Sequence, residues 1–328
     1  MSRRAEILSM LSGGKISSMP AFSGLIHVIQ EGLQSEGLLL REAHHDAMKM
    51  ARAAASTFKL TGMPSATLPL DLCLPAEILG AELNYESEGF PQVKKVVFES
   101  AREVGELENW DSKAGRLETV CEAMRLVKGE IGKEVVVSGM IPGPYTLLLY
   151  LCNPKNLFVE MKKEPQAVLD ALFHLSSLLA KIGNAYRNAG ADFITIHDMG
   201  GSPGFIGPAR YEQFVFPVEK MLIENLPKPR VLSVCGNVGK SLGSLNQVGA
   251  EAISVDQTVN LVEARSALTG VLLFGNLDPV ATLWRGDEAE VRESVRRAKE
   301  ASVDAVWPGC DLVIETPLQN VKTFVAQQ

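Results

Sequence analysis

The chain has 328 residues, 46% of them hydrophobic and 22% charged, which suits a large folded α/β protein with an ample core. Its formal net charge of -7 comes from 39 acidic and 32 basic residues that form no blocks, so nucleic acid is excluded as a partner. No stretch is apolar for long enough to span a bilayer. Five cysteines without tight spacing fit reduced thiols, and we expect a cytoplasmic protein.

The first third of the chain mixes helices with short apolar runs. An amphipathic helix is predicted over residues 3–12, followed by a short strand from Ile16 to Phe22. Apolar spacing predicts a helix from His44 to Leu60, and a strand from Ser65 ends at Asp71. The polar segment from Glu82 to Asp111 is predicted to be an excursion on the substrate side, with one short strand at residues 94–98.

From residue 113 onwards the predicted helices and strands alternate. The helices span residues 113–132, 165–190, 210–225, 240–248, 261–269 and 288–301, with a closing helix from Pro317; the strands span residues 134–139, 191–198, 230–235, 252–256, 271–276 and 305–310. Near-continuous apolar strands that alternate with helices eight times indicate a closed (β/α)₈ TIM barrel. We expect a single domain over residues 1–328, with an N-terminal helical extension.

A polar or thiol side chain follows almost every predicted strand. In a barrel all carboxyl ends of the strands open into one mouth, where barrel enzymes keep their catalytic groups. An open doubly wound sheet would gather such residues only around its switch point. The candidates are Asp71, Ser138, His197, Asp198, Cys235, Asn237, Asp256, Asn276 and Cys310.

Several of these positions lie in motifs that resemble the uroporphyrinogen decarboxylase superfamily, and more closely its cobamide-dependent methyltransferase branch. The resemblance runs nearly end to end. The motifs are Ala76–Glu82, Gly139–Leu147, Asp198–Gly204, Tyr211–Pro217, Val231–Asn237, Gly275–Pro279, Pro308–Cys310 and Thr316–Lys322. The resemblance implies a (β/α)₈ barrel that takes a methyl group from a methylated corrinoid protein, its partner, and passes it to a small acceptor.

Two departures from the superfamily narrow the prediction. The decarboxylases hold their substrate with arginines after the first strand, whereas residues 20–27 here contain none, so decarboxylation is not expected. The thiol-methylating members bind zinc through a His-x-Cys pair and a distant cysteine. Here Ser233 stands at the histidine position before Cys235, and Cys310 is the distant cysteine.

The serine argues against a metal, because two thiolates make a weak zinc site unless a carboxylate such as Glu315 or Glu77 joins them. We therefore expect no zinc; if a metal is present, Cys235, Cys310 and Glu315 are the candidate ligands. The alternative without a function is that Cys235 and Cys310 now serve only in packing, at the position of a metal site that has been lost.

Tetrahydrofolate is an acceptor that needs no metal, since its N5 amine is already neutral near pH 7 and positioning supplies most of the catalysis. Some members of the methyltransferase branch use it. The resemblance and the strand-end pattern together predict transfer to N5, forming 5-methyltetrahydrofolate. The catalytic candidates are Asn237, nearest N5, with Asp198 and His197; the pterin-binding candidates are Asp256, Asn276, Asp71, Ser233 and Cys235.

Other interpretations stay open. A zinc-dependent thiol methyltransferase of the coenzyme M type is the main alternative, and a non-catalytic barrel that binds a pterin or a corrinoid is another. His197 could be a proton acceptor or only a buried core group. The excursion from Glu82 to Asp111 and the loop from Gly200 to Gly207 are predicted to form mobile lids over a wide mouth.

Overall fold

The computed structural model describes residues 2–85, 89–107 and 115–326, and a parallel sheet lies at its centre. The strands are β1 Ser65–Leu68, β2 Glu82–Asn84, β3 Gln92–Lys95, β4 Val136–Pro142, β5 Phe193–Asp198, β6 Arg230–Val234, β7 Ala252–Val255 and β8 Leu272–Phe274. Six of them form one sheet in the order β1-β4-β5-β6-β7-β8, with every neighbouring pair parallel. The antiparallel pair β2 and β3 forms a separate two-stranded sheet.

Single bridges, not full strands, supply the two remaining positions of the barrel. Ala305 pairs in parallel with Phe274 of β8, and the next residue, Val306, pairs with Ala21. The gap between this first segment and β1 is spanned by a hydrogen bond from the Ser23 amide to the Ser65 hydroxyl, at 3.1 Å. The predicted α/β barrel is confirmed, although strands predicted over residues 16–22 and 305–310 are each reduced to isolated bridges.

Helices surround the sheet. They are α1 Arg3–Leu11, α2 Gln30–Ser35, α3 Leu40–Ala43, α4 Ala47–Thr61, α5 Leu74–Ile78, α6 Ala101–Gly105, α7 Leu117–Glu130, α8 Pro144–Leu151, α9 Pro154–Lys163, α10 Pro165–Asn188, α11 Pro203–Ile206, α12 Pro208–Arg210, α13 Phe216–Asn225, α14 Leu242–Leu245, α15 Leu261–Ala267, α16 Glu288–Glu300 and α17 Leu318–Ala326. Two π-helical segments, at residues 211–215 and 279–284, and one 3₁₀ turn at residues 239–241 join them. No helix among the described residues combines the length and the apolar character needed to cross a membrane.

Local chemistry explains where the long helices begin and end. Helix α4 starts at Asp46, whose carboxylate accepts the Lys49 amide, and stops at Gly62 in the left-handed conformation (φ 74°). Helix α16 starts with a capping box between Asp287 and Glu290. The predicted helices are confirmed to within a few residues at most ends. The start of the helix predicted from residue 113, and parts of the predicted excursion, lie outside the described residues.

Two apolar layers hold the barrel together. The larger lies between the sheet and the surrounding helices, and the smaller fills the barrel itself. Inside the barrel, the rings of Phe22, Phe274 and Trp307 meet with centroids 5.0–5.7 Å apart. Helix α1 adds Ile7, Met10 and Leu11 to this inner cluster, closing the end of the barrel opposite the strands' carboxyl ends.

The tightest contact of the inner layer is at Gly24. A methyl group added there would overlap the Thr195 hydroxyl and lie 2.6 Å from Trp307 and 2.8 Å from Phe193. We therefore expect Gly24→Ala to lower the free energy of unfolding by about 1–3 kcal/mol, the usual effect of overpacking. Gly129→Ala, on α7 with open space around it, should instead raise stability by up to about 1 kcal/mol. Urea denaturation of both variants measures these changes in the free energy of unfolding. The same change in both variants would contradict the close packing described around Gly24.

Candidate active site

Three metal-ligating side chains converge where the barrel opens. His197 lies near the end of β5, Cys235 directly follows β6, and Cys310 follows the Ala305–Val306 bridge. The two Sγ atoms are 3.1 Å apart, and His197 Nε2 is 3.9 Å from Cys235 and 3.7 Å from Cys310. One ligand atom from each residue lies within 4.8 Å of the other two. The imidazole is buried, while both thiols are partly exposed toward the mouth.

Backbone contacts fix the positions of the two thiols. The Cys235 amide donates to the Asp198 carbonyl at 3.0 Å, which extends the pairing of β5 and β6 past the last strand residue. The Gly309 amide donates to the Leu277 carbonyl at 2.7 Å and so places Cys310. A side chain at 309 would collide with Gln257, 2.6 Å from its Oε1, so the close approach requires glycine.

The charges in the cluster favour one thiolate. The hydrogen bond from Cys235, helped by His197, outweighs burial and lowers the pKa of the Cys310 thiol to about 6. The same bond, together with burial, raises the pKa of Cys235 far above its ordinary value. Burial disfavours the charged form of His197, but the Asp311 carboxylate outweighs it and raises the imidazole pKa well above 6.5. The cluster therefore stabilises one thiolate, the form in which a cysteine binds a metal.

Asp311 is the carboxylate beside this cluster. Its Oδ2 lies 3.5 Å from His197 Nε2, and its Oδ1 accepts the Ile26 amide at 2.8 Å. The side chain is about one-fifth exposed, so it borders the open side of the site. Asp311 is not among the residues predicted from the sequence, although its position directly after Cys310 is a usable signal.

The histidine that the sequence analysis found missing is supplied by the neighbouring strand. Ser233 and His197 are paired across β6 and β5, so their side chains point to the same side of the sheet. The inference that the two cysteines have no histidine partner is therefore wrong. It looked for the imidazole two residues before Cys235, whereas the parallel register brings it from a strand 38 residues earlier.

The other sequence-predicted residues do not join the cluster. Asp71 is buried in an ion pair with Arg116, which donates to it at 3.0 and 3.2 Å, and lies 3.1 Å from His44. Although burial opposes the charge, the nearby Arg116 and His44 hold the pKa of Asp71 well below its usual range. Glu77 also accepts from Arg116, at 2.9 Å. Both carboxylates therefore anchor the segment that begins α7.

The remaining amide and carboxylate candidates hold loops. Asp256 accepts the amide and the hydroxyl of Thr258, and the Asn276 amide group donates to the Asp256 and Val259 carbonyls. Asn237 is exposed and accepts the Gly239 amide at 3.0 Å. Each of these side chains therefore has a loop contact of its own, and their role in binding a pterin stays a prediction.

The structure also shows where Glu315, Ser138 and the loop predicted as a lid lie. Glu315 is exposed and lines a separate groove beside Leu39 and Arg41, away from the thiols. Ser138 lies deeper in the barrel, hydrogen-bonded to Thr195 at 2.8 Å. Of the loop predicted as a lid, residues 203–206 form α11.

Asp198 belongs to a buried acidic pair that the sequence did not reveal. Its Oδ1 accepts the Thr146 hydroxyl at 2.7 Å and the Gly201 amide at 3.0 Å. Glu219 on α13 is also fully buried, and its Oε2 accepts the Tyr211 hydroxyl at 2.8 Å. Burial raises the pKa of both carboxyls, and the charge on Asp198 raises that of Glu219 further. Protonated Glu219 then supplies the donor that Asp198 Oδ2 otherwise lacks.

Comparison with known proteins agrees with this architecture. The family model described as Uroporphyrinogen decarboxylase (URO-D) matches residues 2–327. "Methylcobamide:CoM methyltransferase MtbA" of Methanosarcina acetivorans is 30% identical over 317 residues, covering 94% of this chain and 92% of the relative. "Methylcobamide:CoM methyltransferase MtaA" of Methanosarcina barkeri is 27% identical over 326 residues, covering 98% and 96%. A solved structure, "methyltransferase from Methanosarcina mazei", superposes with a TM-score of 0.95 at 27% identity, covering 99% and 98%.

The fold and the matched length together place the chain in the uroporphyrinogen decarboxylase family. Proteins named as uroporphyrinogen decarboxylases are also similar, for example that of Thermodesulfovibrio yellowstonii, at 27% identity over 84% of this chain and 82% of the relative. Within the family, the nearly full-length similarity to methyltransferases confirms the prediction of a methyltransferase enzyme.

The buried pair of Asp198 and Glu219 allows a prediction of how the free energy of unfolding depends on pH. A carboxyl whose pKa is raised on folding contributes stability at low pH, and this contribution is lost as the pH rises through the folded-state value. Glu219→Gln cannot ionise and can still bond Tyr211 and Asp198. Its stability relative to wild type should therefore increase with pH, by at most about 1.4 kcal/mol per pH unit for one proton.

Urea unfolding of this variant at several values between pH 5 and pH 8.5 measures the effect. Glu263→Gln, which removes an exposed carboxyl, is the matched control and should show no such trend. The same pH dependence in both variants would contradict a protonated Glu219.

Proposed function

We propose that this protein transfers a methyl group from a methylated corrinoid to a small thiol bound at a zinc ion. The convergence of His197, Cys235 and Cys310 carries the proposal. The relatives support it, because several of them are named for methyl transfer from methylcobamide to coenzyme M. The acceptor we infer is a small thiol of this type.

The residues present fit zinc. One imidazole nitrogen and two thiol sulfurs are a donor set that Zn²⁺ accepts, and three protein ligands leave a fourth position open in catalytic sites. Ligands at ordinary Zn–N and Zn–S lengths lie about 3.5–3.8 Å apart around a tetrahedron. The two N–S separations of 3.7 and 3.9 Å are close to this range, and the thiols would separate slightly from 3.1 Å.

Bound zinc would supply the thiolate form of an incoming thiol at neutral pH. As the bond between this sulfur and the methyl carbon forms, the cobalt–carbon bond of the donor breaks and its electron pair stays on the cobalt. His197, Cys235 and Cys310 would hold the ion, with both cysteines bound as thiolates. Asp311 Oδ2 is the nearby oxygen that can take the acceptor's proton, and its other oxygen is fixed by the Ile26 amide. Both thiols are partly exposed and follow the carboxyl ends of barrel segments, so we expect the acceptor to reach them from the mouth.

Tetrahydrofolate is no longer the acceptor that we favour. That prediction depended on the absence of a histidine beside the thiols, and His197 removes the premise. The candidate pterin ligands Asp71, Asp256 and Asn276 are also engaged by protein partners. MtbA and MtaA, two relatives that cover nearly the whole chain, are named for transfer to coenzyme M, a thiol.

The surface around the mouth supports a protein as the methyl donor. The described residues expose nine large apolar side chains, most of which follow a barrel strand along the chain. They are Leu39, Met48, Val97, Phe158, Val159, Met199, Phe205, Val262 and Val280. Two of them, Phe158 and Phe205, lie beside each other with ring centroids 6.5 Å apart, and adjoining exposed apolar groups are typical of a protein-binding surface. We infer that the protein that carries the methylated corrinoid docks here.

The central experiment measures zinc and methyl transfer together. Purified protein should contain one zinc per chain and should demethylate methylcobalamin when coenzyme M is added, with the cobalt absorbance as the readout. His197→Ala should lose the zinc and the activity, whereas His174→Ala, on α10, should change neither. Asp311→Asn should keep the zinc but turn over about 10²-fold more slowly.

Tetrahydrofolate is the second arm of this experiment. Turnover with tetrahydrofolate and none with any thiol, in protein free of zinc, would overturn the proposal.

The proposed docking surface is tested at Phe205, which is 60% exposed and whose ring lies 6.5 Å from that of Phe158. Phe205→Glu should raise KM for a methylated corrinoid protein at least tenfold, because a charge would be buried in an apolar contact. KM for free methylcobalamin should not change. Gln247→Glu, an exposed change before β7, adds the same charge as a control. Equal effects on the two donors would contradict docking at Phe205.

A further inference from the structure

The second nitrogen of His197 has no visible partner. The side chain is fully buried, its Nε2 faces the thiols and Asp311, and its Nδ1 bonds to no group among the described residues. A neutral imidazole that binds a metal through Nε2 carries its proton on Nδ1. A buried N–H without an acceptor costs about 1–3 kcal/mol, so this proton requires one.

Two buried hydroxyl groups share the inner face with it. Ser233 of β6 is paired with His197 of β5, and Ser254 of β7 is paired with Ser233. Paired residues on parallel strands point to the same side, so the three side chains form one row across the barrel interior. Val231 and Cys235 flank Ser233 at alternate positions, and Val231 packs in the inner apolar cluster, which confirms that this face is the interior.

Both hydroxyls also lack a partner among the described residues, although each side chain is about 99% buried. Other inward-facing hydroxyls differ. Ser138 bonds to the Gly24 carbonyl at 3.1 Å and to the Thr195 hydroxyl at 2.8 Å, whereas its strand partner Thr67 has a buried hydroxyl without a partner among the described residues. The His197 row is distinct because two such hydroxyls follow an unpartnered imidazole nitrogen on adjacent strands.

We propose that Ser233 and Ser254 hold a buried water molecule that accepts the Nδ1 proton of His197 and so orients the imidazole toward the metal. The row offers such a water three polar groups without other partners, which is the usual number of partners of a buried water. Outer partners of this kind fix the tautomer and orientation of metal-binding histidines. The inference rests on the proposed function and assigns positioning roles to both serines.

The arrangement explains what Ser233 does at the position where the superfamily's thiol-methylating members have histidine. Here the imidazole comes from the neighbouring strand, at the directly paired position. A serine is small enough to leave room beside His197 and still offers an acceptor. A second imidazole at 233 would compete for the same space.

The test is the zinc affinity of the full-length protein, measured by competition with a chromogenic chelator. Ser233→Ala should bind zinc about 10–100-fold more weakly than wild type, the usual effect of losing an outer partner of a metal ligand. Ser254→Ala should weaken binding in the same direction. Ser233→Thr, which keeps the hydroxyl, should restore the affinity to within a few-fold.

Cobalt substitution separates positioning from a general loss of stability. The visible spectrum of Co²⁺-loaded protein should shift in Ser233→Ala and return in Ser233→Thr. Ser138→Ala is the matched control, because it removes an inward-facing hydroxyl from another part of the barrel and should leave both affinity and spectrum unchanged.

Two results overturn the inference in distinguishable ways. Wild-type affinity and spectrum in Ser233→Ala would remove the positioning role and leave the proposed function standing. Failure of the wild-type protein to bind zinc would remove both.

Discussion

The alternation of side chains along parallel strands determines the chemistry of this barrel. Because successive residues point to opposite faces, Thr195 and His197 both face the interior, as do Ser233 and Cys235 on the neighbouring strand. A shift of one residue in the pairing of β5 and β6 would turn His197 toward the helices and leave the thiols without an imidazole. The candidate metal site therefore requires the observed register between β5 and β6, because this register brings the imidazole and the thiols together.

Much of the barrel could be predicted from the sequence, because its central strands are short apolar runs that alternate with helices. The strands predicted around Ala21 and Val306 are too long, since the structure has only isolated bridges there. There the inner aromatic packing of Phe22 and Trp307 holds the chain, and only single bridges remain. Apolar runs predict burial, but they do not distinguish a ladder of hydrogen bonds from a packed extended segment.

The site was predictable in part. Thiols that follow two strands were correctly expected at one mouth, since all carboxyl ends of a barrel's strands meet there. The contact of His197 with them depends on register across strands, which no local motif encodes. Glu219 gave no signal either, because it lies on an outer helix and meets Asp198 only in the folded protein. Asp71 seemed available for a ligand because its partner, Arg116, is 45 residues away.

Helix α1 has a consequence for the order of events during turnover. With Ile7, Met10 and Leu11 packed into the inner cluster, the interior is closed at the amino ends of the strands. Under the function proposed above, donor and acceptor then approach the described part of the barrel from the same end. A large carrier bound there would block a small molecule behind it, so we expect the small acceptor to bind first and the carrier second. We expect the product to be released only after the carrier has left.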